Sequence, residues 1–371
     1  MNHQYINLNV CNTDSTGNKP YPTLSFTETR NSPILDNAGD YYLSVVRFTL
    51  ETASLPVCIP AVKRDQNDPN KLNYTIGMSY KNNLNQTFFS SVPVIFVPQN
   101  LSVSPPAVLN NISVEDEYYH LNSITPFINM CNTAFETCFN NLKNQVALPA
   151  NNPPYFEYDS LTGRSSIRAE LQTFDEKQAH NTVKIYFNSP LMTLFNSYDA
   201  EFLGFNRVNN DNYRIRIINN GNLVYIPSGV NLNGTIRTDI VVQAEFSHIS
   251  IMCPVQSIVF TSSNLPIIPS MSSAPLIGDD TVSLNSGGNN ALLENVITDM
   301  AVPTENYGWK NVIEYTPTSE YRLIDMFGNQ ALNSIQINCF WKDQLGGLHP
   351  FKIASNCSCN LKIMFRKKNF N

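Results

Sequence analysis

Apolar and polar positions alternate along much of this chain with a period of two. Leu72, Tyr74, Ile76, Met78 and Tyr80 are interleaved with Asn73, Thr75, Gly77 and Ser79, which predicts a strand with one buried face. Residues 41–50 are rich in β-branched and aromatic side chains, and so are 88–97; both suit a pleated, half-buried surface. Pro93 cannot donate to a ladder and is expected at an edge or a bulge. Further strands are expected at 155–159 and 165–171 around Leu161-Thr162-Gly163, and at 183–187. Tyr213, Ile215 and Ile217 are expected to pair with Leu223 and Tyr225 across the turn 219–222. The remaining strands are expected at 240–246, 249–253, 256–261, 321–326, 334–341 and 360–366.

One stretch departs from this period. Phe127, Cys131, Ala134, Phe135, Cys138 and Leu142 recur at steps of three and four, the stripe of an amphipathic helix. Thr125 is expected to cap it, Pro126 suits its first position, and 151–154 ends it. Ser189-Pro190 is expected to open a second, short helix. The chain therefore reads as all-β, with a different middle: an eight-stranded jelly roll from residues 1–104 and 236–371, discontinuous, and an inserted mainly-β domain at 105–235 carrying the long helix. Loops accept such an insertion because closure entropy grows slowly with length.

Composition agrees with a turn-rich β protein. The chain has 371 residues, of which 42% are hydrophobic, 11% aromatic and only 15% charged. Its polarity comes from 50 asparagines, which favour turns over helix interiors. A helical bundle and a helix-rich α/β enzyme are both disfavoured. The net charge of −6 argues against a generally cationic nucleic-acid-binding domain. The one basic concentration is Lys362, Arg366, Lys367 and Lys368; a solvated chain end is the plainer reading and nucleic-acid contact the sharper one. The opening residues 1–5 lack a basic region followed by an apolar core, so no secretory signal is expected. No apolar run approaches bilayer length.

Candidate chemistry is sparse. No catalytic or phosphate-binding motif occurs, and the histidines are His3, His120, His180, His248 and His349. Glu117/His120 and Glu245/His248 have the E-x-x-H spacing, but ligation from that spacing needs one helix face, and 245–248 reads as strand. The eight cysteines form no C-x-x-C pair; Cys131 and Cys138 sit on the helix stripe as buried thiols, and Cys357 and Cys359 are expected on one strand face. Glu115-Asp116-Glu117 is an acidic loop without EF-hand spacing. Six N-x-S/T sequons follow from the asparagine excess alone. Tyr41-Tyr42, Tyr118-Tyr119 and Tyr155 admit sugar stacking, yet their apolar neighbours favour packing. No catalytic, cofactor-binding or metal residue is expected, and no enzyme.

Several segments resemble virophage minor capsid (penton) proteins of the Sputnik type. Residues 42–48, followed by 55–60, are similar to the first jelly-roll strand of that family. The resemblance extends through 155–159, 188–191, 258–266, 340–343 and 361–366. It implies a penton protein of a small icosahedral dsDNA virus, five copies closing a vertex as a homopentamer in contact with the major capsid protein. It also implies an inserted domain facing outward, and assembly in a cytoplasmic virus factory. The alternative reading is a lectin-like or receptor-attachment module on the virion, with the inserted domain meeting the host or carrier-virus surface. Loops 51–70 and 270–320 are the expected contact segments.

Overall fold

The structure is a computed structural model. It describes residues 3–14, 21–63, 68–101, 103–106, 116–175, 181–206, 212–218, 226–230, 236–272, 292–302, 311–316, 322–344 and 346–368. The turn expected at 219–222 lies outside these residues, as do His180, Glu115 and much of 270–320.

In chain order the first strands are β1 (His3–Cys11), β2 (Ser25–Thr29), β3 (Tyr41–Glu51), β4 (Lys71–Lys81) and β5 (Thr87–Ile95). Helix α1 (Thr125–Lys143) is followed by β6 (Tyr155–Asp159), β7 (Arg164–Glu170), α2 (Leu171–Phe174), β8 (Val183–Phe187) and α3 (Ser189–Leu194). Next come β9 (Ala200–Asn206), β10 (Asn212–Ile217), β11 (Ile226–Val230), β12 (Ile236–Gln243) and α4 (Ile249–Met252). The last stretch holds β13 (Val255–Ser262), β14 (Ser270–Ser272), β15 (Leu292–Glu294), β16 (Val296–Ala301) and β17 (Val312–Tyr315). It closes with β18 (Ile324–Asp325), β19 (Ser334–Asp343), β20 (Leu348–Pro350) and β21 (Ser358–Lys367). Strands dominate, as the period of two predicts.

The chain forms two compact units. One combines Met1–Pro56 with Pro254–Asn371, and the other is Val57–Cys253. The first contains two main sheets, ordered β1-β21-β3-β17, with β18 also on β3, and β16-β13-β19-β2, with β20 also on β19. In β19 every second residue is buried, placing Ile335, Ile337, Cys339 and Trp341 on one face. Strand β3 changes phase midway. Leu43 and Val45 point inward before the change, and Phe48 and Leu50 after it. Its pairing with β21 jumps between Lys362↔Arg47 and Ile363↔Val45, so Val46 is the extra residue of a bulge that restores an inward face. Phe48 and Phe260, one from each sheet, meet at 5.0 Å between ring centroids. The two sheets thus share one core.

The second unit also has two sheets, β5-β4-β8-β10-β9 and β11-β12-β7-β6. Phe156 on β6 lies 5.8 Å from Phe187 on β8, so an aromatic cluster joins them. Phe135 of α1 reaches both rings, at 5.3 and 6.2 Å. The predicted stripe of α1 is fully buried, and Ile128, Met130 and Phe139 widen it. Pro93 sits on the edge strand β5 opposite Thr75, beside a register shift. Asn188 caps α3 by accepting from the Leu191 N–H, and also accepts from the Thr75 N–H at 3.0 Å.

Several expectations need correction. β4 and β5 pair with β8, and β12 with β7, so they belong with the middle of the chain rather than with its ends. The boundaries of the compact units fall at 56/57 and 253/254 instead of 104/105 and 235/236. Alternation reveals a strand but not the sheet it joins. Residues 41–51 form the third strand rather than the first, because β1 and β2 precede it. Thr125 lies inside α1 and makes no cap; Ser123 Oγ accepts from its N–H instead, at 3.4 Å. Residues 249–252 form α4, not a strand, the ambiguity inherent in short apolar runs. β10 takes β8 and β9 as neighbours, while its expected partners Leu223 and Tyr225 lie outside the described residues. Among the described residues 322–326, only Ile324–Asp325 forms strand.

Candidate functional site

The residues with chemical potential do not converge. Among the described residues no three of His, Cys, Asp or Glu are grouped to hold a metal. The cysteines are free. Burial pushes the thiols of Cys58 and Cys359 up to about 12 and that of Cys138 up to about 11, and it raises Cys131 and Cys339 as well. Such thiols carry little thiolate and act as small apolar side chains. Cys359 is buried, whereas Cys357 precedes its strand and is half-exposed.

Of the two E-x-x-H pairs, Glu245 and His248 come apart. Glu245 is exposed while His248 is buried beside α4. The His248 ring packs against Phe195 and Tyr198, with centroids 5.2 and 6.0 Å away. Neither of its ring nitrogens has a hydrogen-bond partner among the described residues. Burial lowers its pKa to about 4, so it stays neutral. Glu117 opens a single 3-10 turn that His120 follows, and Asp116 caps it by accepting from the Tyr118 N–H at 3.1 Å. His349 is buried, stacked on Trp341 at 4.2 Å and bonded to Asp343 at 2.8 Å. This pair closes the β19–β20 hairpin, where Gly347 N–H also donates to Asp343.

Of the aromatic candidates, Tyr118 and Tyr119 serve packing. Tyr118 and Tyr119 are buried around Phe96, at 5.5 and 5.2 Å, and their hydroxyls donate to Asn70 and to the Pro69 carbonyl. The C-terminal cations are partly committed. Lys368 pairs with Asp325 at 2.8 Å, donates to the Met326 carbonyl and lies over the Tyr42 ring. Lys362 lies over Tyr5 at 5.0 Å. Of the four, Arg366 and Lys367 are exposed.

What the first unit offers instead is edge and surface. β1 and β17 border one sheet, and β16 and β2 the other. β1 runs nine residues with a largely exposed outer face, and Tyr5 on it is 54% exposed. Ile268 and Phe327 are also exposed, and their segments are joined by a Phe327 N–H bond to the Pro266 carbonyl. A long edge strand and exposed apolar side chains are surfaces for association rather than for turnover.

Comparison with known proteins decides between these readings. The family model of the Sputnik minor capsid protein V18/19 matches residues 4–367. The chain belongs to that family. It is a virophage minor capsid protein, a structural component of the virion and not an enzyme. Relatives from Sputnik virophage include the uncharacterized protein V18, 33% identical over 131 residues, covering 33% of this chain and 74% of that protein. Another is the structural protein V19, 26% identical over 216 residues, covering 57% of this chain and 94% of that protein. Among solved structures, a chain of the Sputnik virophage at 3.5 Å resolution by cryo-EM matches with a TM-score of 0.77 at 25% identity, covering 98% of each chain. The mavirus penton protein matches in fold, with a TM-score of 0.61 at 17% identity and 99% of each chain covered.

Proposed function

We propose that this minor capsid protein is a penton, five copies of which close a five-fold vertex and contact the major capsid protein. The observation that carries the reading is the strand order of the unit built from both chain ends. Counting its eight principal strands along the chain, one sheet runs first, eighth, third, sixth and the other fifth, fourth, seventh, second. That order supports the reading of a jelly roll, an architecture that viral capsids use repeatedly. Residues 57–253 then form a domain inserted between its third and fourth strands, the outward-facing one in this reading. The likeness in fold to the mavirus penton protein supports the assignment.

A five-fold ring needs a heterologous interface that closes on itself. The exposed edge β1 and the sparse surface charge are suited to such contacts. Assembly takes place in the host cytoplasm, in the virus factory. The test is size-exclusion chromatography with light scattering on the full chain at high concentration. The expected particle has five times the 41.7 kDa mass of one chain. A strictly monomeric protein under these conditions, which also fails to add to vertices of penton-free capsids, refutes the proposal.

A further inference from the structure

An open groove lies within the unit of residues 57–253, between the polar face of α1 and the segment leading into β6. Its volume is about 450 Å³, within the range of roughly 300–1,000 Å³ typical of small-molecule sites. One wall carries Asn129, Asn132, Thr133 and Glu136, spaced so that all project from one side of the helix. The other carries Pro153, Pro154 and the half-buried ring of Tyr155.

The two walls are fixed to each other before any ligand arrives. Asn132 accepts from the Phe156 N–H at 2.7 Å and donates to the Phe156 carbonyl at 3.0 Å. The backbone N–H groups of Asn151 and Asn152 donate to the Glu170 carboxylate at 3.0 and 3.2 Å. Thr133 Oγ1 donates to the Asn129 carbonyl. The Asn129 carboxamide and the Glu136 carboxylate make no hydrogen bond among the described residues, and neither contributes to the core.

We propose that this groove binds a neutral saccharide. A carboxamide and a carboxylate on one helix face supply a donor and three acceptor oxygens, the set that recognises neighbouring hydroxyls. Tyr155 and Pro153 offer the flat apolar facet that the C–H face of a pyranose covers. No lysine or arginine lines the groove, so phosphate, sulfate and sialic acid find no counter-charge and meet Glu136 instead. Pre-organisation reduces the ordering cost of binding. The inference concerns this groove alone and does not depend on the pentamer.

The experiment applies the full chain to an array of neutral, sialylated and sulfated oligosaccharides, followed by saturation-transfer NMR with the neutral glycans retained. Neutral glycans are expected to bind in preference to the anionic ones. The double variant Asn129→Ala, Glu136→Ala, whose changes lie on an exposed helix face, is expected to bind about tenfold or more weakly, the loss of two hydrogen bonds, with an unchanged thermal unfolding midpoint. The variant Lys184→Ala, outside the groove, is expected to bind as the parent does. Absence of retained neutral glycans, a preference for anionic ones, or undiminished binding by the double variant overturns the proposal.

Discussion

His248 makes the unit of residues 57–253 sensitive to acid in a calculable way. Its imidazole is buried against Phe195 and Tyr198 with no partner among the described residues for either nitrogen. Desolvation lowers its pKa from the ordinary 6.5 to about 4. The unfolded chain therefore binds this proton below about pH 6.5, while the folded chain resists it until about pH 4. Stability rises with pH wherever the unfolded state holds more protons, so acidification through this window destabilises the fold. Each tenfold difference in proton affinity between the folded and unfolded chain is worth about 1.4 kcal/mol. The full loss is about 3 kcal/mol below pH 4, and most of it is already gone at pH 4.5. The perturbation that isolates the residue is His248→Phe, which keeps a ring in place and removes both nitrogens. Urea unfolding from pH 7.5 to 4.5 should show the wild-type midpoint falling more steeply than that of the variant. The difference between the two should grow to about 2–3 kcal/mol at pH 4.5. At pH 7 the variant should be equal or slightly more stable, since replacing unsatisfied polar atoms by apolar ones is neutral or better. Parallel curves for the two proteins across the whole range refute the reasoning.

Two further perturbations test the packing of each unit. Phe48→Ala empties the space facing Phe260 and Tyr315 and should cost about 3–5 kcal/mol, read as an earlier denaturant transition by the fluorescence of the buried Trp341. Gly163 has φ +65°, and an added Cβ would stand 2.4 Å from Ser247 Oγ and 2.5 Å from Ile249 Cδ1. Gly163→Ala should therefore cost about 1–3 kcal/mol, and an unchanged thermal midpoint argues against strain at this turn.

Much of the fold is legible in the sequence where alternation is regular. β4, β19 and β21 follow from apolar residues at every second position, and α1 from its three-and-four spacing. The reading of asparagine as a turn residue also has a physical counterpart. The non-glycine residues with positive φ among those described are Asn85, Asn181 and Asn356, and asparagine tolerates that conformation best. β1 escapes the pattern because Ile6, Leu8 and Val10 alternate with asparagines, which read as turn rather than strand. The grouping of strands into units is not legible, because long-range pairing leaves no local trace. The pairing of β4 with β8 joins residues about a hundred positions apart, with Tyr80 opposite Val183. The groove is equally hidden. Asn129, Asn132, Thr133 and Glu136 read as the ordinary solvated face of a helix, and only the fold brings Pro153 and Tyr155 against them.

The pairing of β1 with β21 sets an order of events during synthesis. His3 lies opposite Arg366 and Cys11 opposite Ser358, so the first strand made must wait for the last. At roughly 5–20 residues per second, that wait lasts on the order of half a minute. All the strands of the unit of residues 57–253 emerge before β13, which the first unit needs. The middle can fold on the ribosome while β1, β2 and β3 remain unpaired. Those three early strands, with Leu24, Phe26, Phe48 and Leu50 uncovered, are the segment most exposed to misassociation before the chain is released, and the one a chaperone has most reason to hold.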